Sequence, residues 1–208
     1  MNNGFAIQQF ALIERWEMPL AICADGNTQE VPEKYEVFAT LESYEAKYGK
    51  NVKYDIKSVL EILTLARDNE AGISLFGVLD FAVDIDYEDI EELEPELSAV
   101  IELVKAMKAE ISEKELLEKI ADIEVIFLGE YPKLENDLKF GVHTVKSVQG
   151  NYEMIPVFLN EKNAEEYNTA KHPITKTTIN DLKRFYGQFG IIVEPQKKYW
   201  AVIEPEKK

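Results

Sequence analysis

Basic residues are scarce where acidic ones are plentiful. The 208 residues carry 39 Asp or Glu against 23 Lys or Arg, a formal net charge of −16, and no basic residue stands between Arg67 and Lys105. Residues 1–104 hold 22 acids and 7 bases, whereas residues 105–208 hold 17 and 16. A nucleic-acid partner requires cations to neutralise its phosphates, and an anionic lipid surface requires them too, so neither is an expected partner. Cysteine is nearly absent. The lone Cys23 cannot close a disulfide within the chain, and no oxidising compartment is implied. Long apolar runs are lacking as well: stretches such as Ile73–Leu79 are far too short to span a bilayer. Met1-Asn2-Asn3-Gly4 lacks the basic start and apolar core of a signal peptide. The expectation is a soluble cytoplasmic protein.

The residues that carry chemistry are equally sparse. His143 and His172 are isolated in sequence and form neither a metal-ligand spacing nor a triad. Cys23 follows an apolar run and reads as a small buried hydrophobe. Gly187 and Gly190 end a helix rather than open one, the wrong end for cradling phosphate. Asp84-x-Asp86-x-Glu88-Asp89 resembles a calcium loop only superficially. An EF-hand needs Gly at its sixth place and Glu at its twelfth, which here are Asp89 and Pro95. No catalytic residue, metal ligand or cofactor site is expected.

What is present is enough apolar residue, 46 %, with 11 % aromatic, to build a sizeable core despite the charge. Apolar spacing predicts helices over Phe5–Trp16, Leu41–Tyr48, Ile56–Arg67 and Thr178–Gln188, the last with Ile179, Leu182, Phe185 and Tyr186 inward and Gly190 at its end. Pro95 is placed in the first turn of a helix continuing through Met107. Ser112-Glu113-Lys114-Glu115 reads as a capping box opening a short helix to Ile120, and Asn160 as the cap of a helix to Tyr167. Strands are predicted at Leu20–Cys23, Tyr35–Thr40, Gly72–Leu75, Val78–Ile85, Ile123–Leu128, Phe140–Val148, Tyr152–Leu159, Ile191–Val193 and Tyr199–Ile203. Asp25-Gly26-Asn27 and Gly150-Asn151 supply turns.

The two halves repeat one another. Gly26-Asn27 matches Gly150-Asn151, Val37-Phe38 matches Val157-Phe158, and Glu45–Tyr48 matches Ala164–Tyr167. Gly72–Leu75 matches Gly190–Val193, and Phe81-Ala82-Val83 matches Trp200-Ala201-Val202. Each half reads strand, turn, strand, short helix, longer helix, strand, strand. The expected fold is therefore α+β: two repeated units of antiparallel or mixed sheet with helices packed on one face, related by a pseudo-twofold. Residues 1–95 form the first unit with its N-terminal helix and acidic tail, 96–121 a helical connector, and 122–208 the second unit.

Met154-Ile155-Pro156-Val157-Phe158, the acid-rich helix start Glu161–Tyr167, Phe189-Gly190-Ile191-Ile192-Val193-Glu194-Pro195 and the closing strand with Trp200 together resemble the SseB-like family, whose N-terminal domain is named for enhanced serine sensitivity. Members tend to read Pro-Val-Phe-Thr-Ser and Gly-Ile-x-Ile-Asn-Pro at these places. Here Leu159-Asn160 replaces Thr-Ser, and Glu194 replaces the Asn before Pro195. The resemblance covers residues 138–204 directly and 18–86 through the repeat. It implies a bacterial, non-enzymatic protein.

Three functions are carried forward. The first is a non-catalytic module that binds another protein through its sheet faces or acidic segment. The second is an acidic inhibitor or immunity-type protein masking a basic partner. The third is a hydrolase or transferase, for which no acid, base and nucleophile can be assembled from the sequence. Residues 84–96 hold 8 acids in 13 positions. From them Asp84, Asp86, Glu88, Asp89, Glu91 and Glu92 are the candidate partner-binding residues. Tyr199 and Trp200 join them as amphipathic aromatics of the kind that anchor interfaces. Lys183-Arg184 and Lys197-Lys198 are the best anion-binding pairs, in a half of nearly balanced charge.

Overall fold

The computed structural model describes residues 3–23, 31–131, 141–148 and 150–205. The turn expected at Asp25-Gly26-Asn27 lies outside them. The chain divides into two compact units, Met1–Ser98 and Ala99–Lys208.

In the first unit, α1 (Asn3–Ile13) precedes β1 (Leu20–Cys23), β2 (Lys34–Phe38), α2 (Leu41–Tyr48), β3 (Tyr54–Lys57), α3 (Val59–Asp68), β4 (Gly72–Phe76) and β5 (Val83–Ile85). The sheet order is β3-β1-β2-β4-β5. β2 and β4 are parallel, and every other neighbour is antiparallel. α4 (Tyr87–Met107) crosses the boundary between the units. The second unit continues with α5 (Glu113–Ile120), β6 (Glu124–Leu128), β7 (Val145–Lys146), β8 (Glu153–Phe158), α6 (Glu161–Tyr167), β9 (Ile174–Thr178), α7 (Ile179–Tyr186), β10 (Gly190–Val193) and β11 (Ala201–Ile203). Its sheet runs β9-β6-β8-β10-β11, with β7 added beside β8. Here β8 and β10 are the parallel pair.

The two sheets thus share strand order, direction and register. Val37 pairs with Leu75 as Val157 pairs with Val193, and Ile73 pairs with Ile85 as Ile191 pairs with Ile203. Gly72 and Gly190 open equivalent strands for one physical reason. A Cβ on Gly72 would stand 2.8 Å from the Ile85 carbonyl oxygen, and one on Gly190 3.0 Å from the Ile203 carbonyl oxygen, so the neighbouring strand excludes a side chain at both. Caps repeat as well. Thr40 and Asn160 accept from the backbone N–H three residues on, which makes Tyr44, rather than the expected Glu45, the counterpart of Ala164; Ser58 and Thr178 accept in the same way. The protein is an α+β fold built from two similar units.

Several expectations are corrected. β3 and β9, at equivalent places, were not anticipated. Ile56 opens no helix but lies in β3, because Ser58 forms a capping box with Glu61 and fixes the start of α3 at Val59. Thr178 does the same for α7. The strand equivalent to β1 is β6, not residues 140–148; among the described residues 141–148, Val145–Lys146 is strand. The register Ile73–Ile85 and Ile191–Ile203 makes Val83 the counterpart of Ala201 rather than of Val202, and in a strand that one-residue slip exchanges faces. Phe81 lies outside β5 and is exposed. α4 starts at Tyr87, not near Pro95, because Ile90, Leu93 and Leu97 already form a buried helical stripe. Pro95 sits on the exposed side, where the Glu91 carbonyl it leaves unbonded can meet water. Gly190 begins β10, and the C-cap of α7 is Gly187. The Ser112–Glu115 capping box forms as expected.

In the second unit the larger core joins Ala99 and Leu103 of α4, Leu116 and Ile120 of α5, and Ile179, Leu182 and Tyr186 of α7 to the inner residues of β6, β8, β10 and β11. Residues 96–121, expected as a connector, therefore supply part of that core. The other sheet face carries a smaller cluster of Ile126, Leu128, Phe158 and Ala164 of α6. The first unit has its counterpart in Ala21, Phe38 and Tyr44 of α2. Helical cover of the second unit's sheet is thus two-sided, where one face was expected. Phe185, expected inward, is half exposed and rests against Tyr131.

Candidate functional site

The six acidic candidates follow one another from β5 into the first two turns of α4. β5 alternates because Val83 and Ile85 are buried, which turns Asp84 outward; Asp86 then precedes the helix. Lys34 reaches both, at 2.7 Å from Asp86 and 3.9 Å from Asp84, and Ser74 donates to Asp84 at 2.6 Å. The hydrogen bond to Asp86, with the charges of both carboxylates, raises the Lys34 pKa against a smaller effect of burial. Glu88 and Asp89 lie in the first turn of α4, where the helix dipole favours negative charge. Glu91 accepts from the Tyr87 hydroxyl at 3.1 Å. The buried stripe Ile90–Leu93–Leu97 leaves Glu88, Glu91 and Glu92 exposed. Further along, Arg67 holds Glu94 at 2.6 Å, and Gln9 donates to the buried Glu96 at 2.6 Å. Local pairing therefore takes up Asp84, Asp86, Glu94 and Glu96. Glu88, Asp89 and Glu92 have no ion-pair partner among the described residues.

Tyr199 and Trp200 belong to the second unit. Tyr199 is half-buried against the larger core. Trp200 is 41 % exposed, and its backbone N–H donates to the Met107 sulfur at 3.3 Å. They are placed in a different unit from the acidic ledge. Lys197 of the expected anion-binding pair donates to Glu166 at 3.0 Å, which occupies it with an acid.

The structure brings together two residues that the sequence keeps apart. The His143 and His172 rings stack at 4.9 Å, and Tyr167 meets His143 edge-on at 6.1 Å. With Leu128, Glu166, Asn168, Thr169, Ala170 and Gln196 they line an open cavity of about 300 Å³. Asn168 fixes the loop by bonding the His172 backbone at both N–H and C=O, at 2.8 and 2.7 Å. Burial, and then the neighbouring His172, push the His143 pKa down. The hydrogen bond and charge of Lys197 lower that of Glu166. The histidines are 29 positions apart, and the pairing of β6 with β9 and the Gly129–Val142 bridge help bring their loops together. No sequence spacing could have signalled that. Among the described residues no group of three or more His, Cys, Asp or Glu could hold a metal ion.

Glu194 also escapes the sequence reading. It is fully buried at the end of β10, with φ of 52°. Its carboxylate accepts from the Leu159 N–H at 2.7 Å and from the Asn163 side-chain amide at 3.0 Å. Burial raises its pKa, opposed by those two donors. In the first unit the equivalent position is Phe76, stacked on Phe38 at 5.0 Å.

No family model matches the chain, and no curated protein matches it. Among solved structures, Anabaena Tic22 (protein transport) is similar at 11 % identity, over 91 % of this chain and 93 % of that one, with a TM-score of 0.26. At that level neither fold nor function carries over. Among the described residues no helix is long and apolar enough to cross a membrane.

Proposed function

We propose that the chain is a non-catalytic, cytoplasmic bacterial module of the SseB-like kind that binds another protein, and that the acidic ledge of the first unit is its contact surface. The observation that carries this reading is the row Glu88, Asp89, Glu91 and Glu92, left on α4 after nearby cations have paired with their neighbours. A basic partner would meet charges that the fold has not already neutralised, and such complementarity speeds association and selects partners. An acidic inhibitor is the narrower form of the same reading. Affinity capture with the wild type beside a variant neutralised to Gln or Asn at those four positions tests it. A partner held by the wild type at about 0.1 M salt, released towards about 1 M as the Debye length falls from ~10 to ~3 Å, and missing from the variant supports the proposal. Identical partners on both baits refute it.

The cavity at His143 favours a second reading, a hydrolase or transferase with His143 as general base, since its imidazole lines an open cavity together with His172 and Glu166. Turnover of chromogenic ester or phosphate substrates, lost on His143→Gln, supports that reading. Equal rates for both proteins remove it.

A further inference from the structure

Strand β3 ends the first unit's sheet, and β9 ends the second's at the equivalent place. Among the described residues β3 pairs with β1 alone. Its outer edge offers unpaired backbone N–H and C=O groups, a template for another strand. Register makes the two edges comparable residue by residue. Ile56 pairs with Ala21 and Lys176 with Ile126, while Ala21 and Ile126 themselves pair with Phe38 and Phe158. Ile56 and Lys176 are therefore counterparts. Lys176 is the kind of residue that blunts an edge, and it is held there by Glu161 at 3.3 Å and Glu124 at 3.5 Å. Ile56 gives no such protection and is 52 % exposed.

We propose that β3 pairs antiparallel with β3 of a second copy of this chain, centred on Ile56. The sequence Tyr54-Asp55-Ile56-Lys57 is self-complementary in that register. Ile56 faces Ile56, and Asp55 of each copy faces Lys57 of the other, so a twofold axis yields two opposite-charge cross-strand pairs and one apolar pair. A one-residue shift in either direction loses these pairings, so charge fixes the register as well as the partner. The same operation on β9 would set Lys176 against Lys176, which is repulsive. Of these two edges, β3 is thus the one suited to self-pairing. Four residues a side bury little area, so the dimer is weak and concentration-dependent.

Sedimentation equilibrium of the 208-residue chain at about 0.15 M salt, over rising concentration, tests the proposal. The wild type is expected to move from the monomer mass towards twice that value. Ile56→Lys, which copies the second unit's residue, should raise the dissociation constant at least about tenfold, the equivalent of 1.4 kcal/mol. Asp55→Lys should weaken the dimer by placing lysine against Lys57. The double variant Asp55→Lys, Lys57→Asp restores both opposite-charge pairs and should restore the dimer. A chain that stays monomeric throughout overturns the proposal. So does a dimer indifferent to Ile56→Lys, or a double variant no tighter than Asp55→Lys alone. The double variant decides the matter even if Ile56→Lys fails to fold. Failure here leaves the acidic-ledge proposal untouched, because that one is read from capture with α4 variants.

Discussion

The two units solve the same packing problem with the same strands and different side chains. On the smaller core face the first unit has Ala21 on β1 and Tyr44 on α2, and the second has Ile126 on β6 and Ala164 on α6. Phe38 and Phe158 stand between them in both. The bulk has moved from helix to strand with the total roughly kept, as close packing requires. The charge differs more sharply. Asp84 has Val202 as its counterpart, so the strand position that opens the acidic ledge is apolar in the second unit. At that position the fold therefore does not need an acid, whereas Glu88, Asp89, Glu91 and Glu92 lie on α4, which has no counterpart after β11 among the described residues.

The largest effect expected comes from breaking the size exchange. Tyr44 is buried, edge-on to Phe38 at 5.3 Å, and its hydroxyl donates to the Lys53 carbonyl at 3.0 Å. Tyr44→Ala should cost about 3–5 kcal/mol by leaving a cavity. Adding Ala21→Ile reproduces the second unit's pair and should recover part of that loss, read as the shift in denaturant midpoint at constant slope. If the double variant is no more stable than Tyr44→Ala, the two faces are not equivalent in packing.

Next is the place where a phenylalanine in one unit becomes a carboxylate in the other. Glu194→Ala strands the Leu159 N–H and the Asn163 amide in a buried site, for about 1–3 kcal/mol. Glu194→Gln keeps an acceptor for Leu159 without the charge. The raised pKa fixes the sign of its pH dependence. The folded state holds the proton more tightly than the unfolded one, so the contribution of Glu194 is fully present below the ordinary carboxylate value and is lost as pH rises through the folded pKa. Relative to Glu194→Gln, the wild type should gain stability as pH is lowered through that window. A constant gap would mean that the group does not titrate differently on folding.

Smaller again are the caps that define the unanticipated strands. Ser58→Ala and Thr178→Ala should each cost about 1 kcal/mol, with Ser58 at the upper end because its box with Glu61 satisfies two donors. These caps also explain what could be read from sequence and what could not. Ser112 with Glu115 stood before a plain helical stripe, and Asn160 before an acid-rich one, so both starts were legible. Ser58 lies inside a run, Ile56–Arg67, whose apolar spacing continues across the strand–helix junction, and the β3 signal was absorbed into α3. The equivalences of Val37 with Val157 and Gly72 with Gly190 were visible because strand core and close-approach glycine constrain residue type. Those of Ala21 with Ile126 and Ile56 with Lys176 were not, since size and edge exposure are shared between neighbours. The acidic ledge was legible in outline, but its pairing with Lys34 and Arg67 was not. The histidine cavity was invisible, because it is assembled by sheet pairing between loops.

The smallest stability effect is expected where the functional proposal rests. Glu88, Asp89, Glu91 and Glu92 sit on the solvent side of α4, and two of them lie in its first turn. Neutralising all four removes a favourable helix-dipole interaction of about 0.3–1 kcal/mol for each charge in that turn. It also relieves repulsion between like charges three and four positions apart, Glu88 with Glu91 and Glu92 among them. The two contributions oppose one another, so the melting temperature should shift by only a few degrees in either direction. Transplanting the same four neutral residues should nevertheless abolish salt-sensitive capture of a partner. A variant that loses capture but keeps its stability assigns the acids to recognition. One that loses several kcal/mol shows that they support α4 instead, and the charge difference between the units would then be a matter of folding.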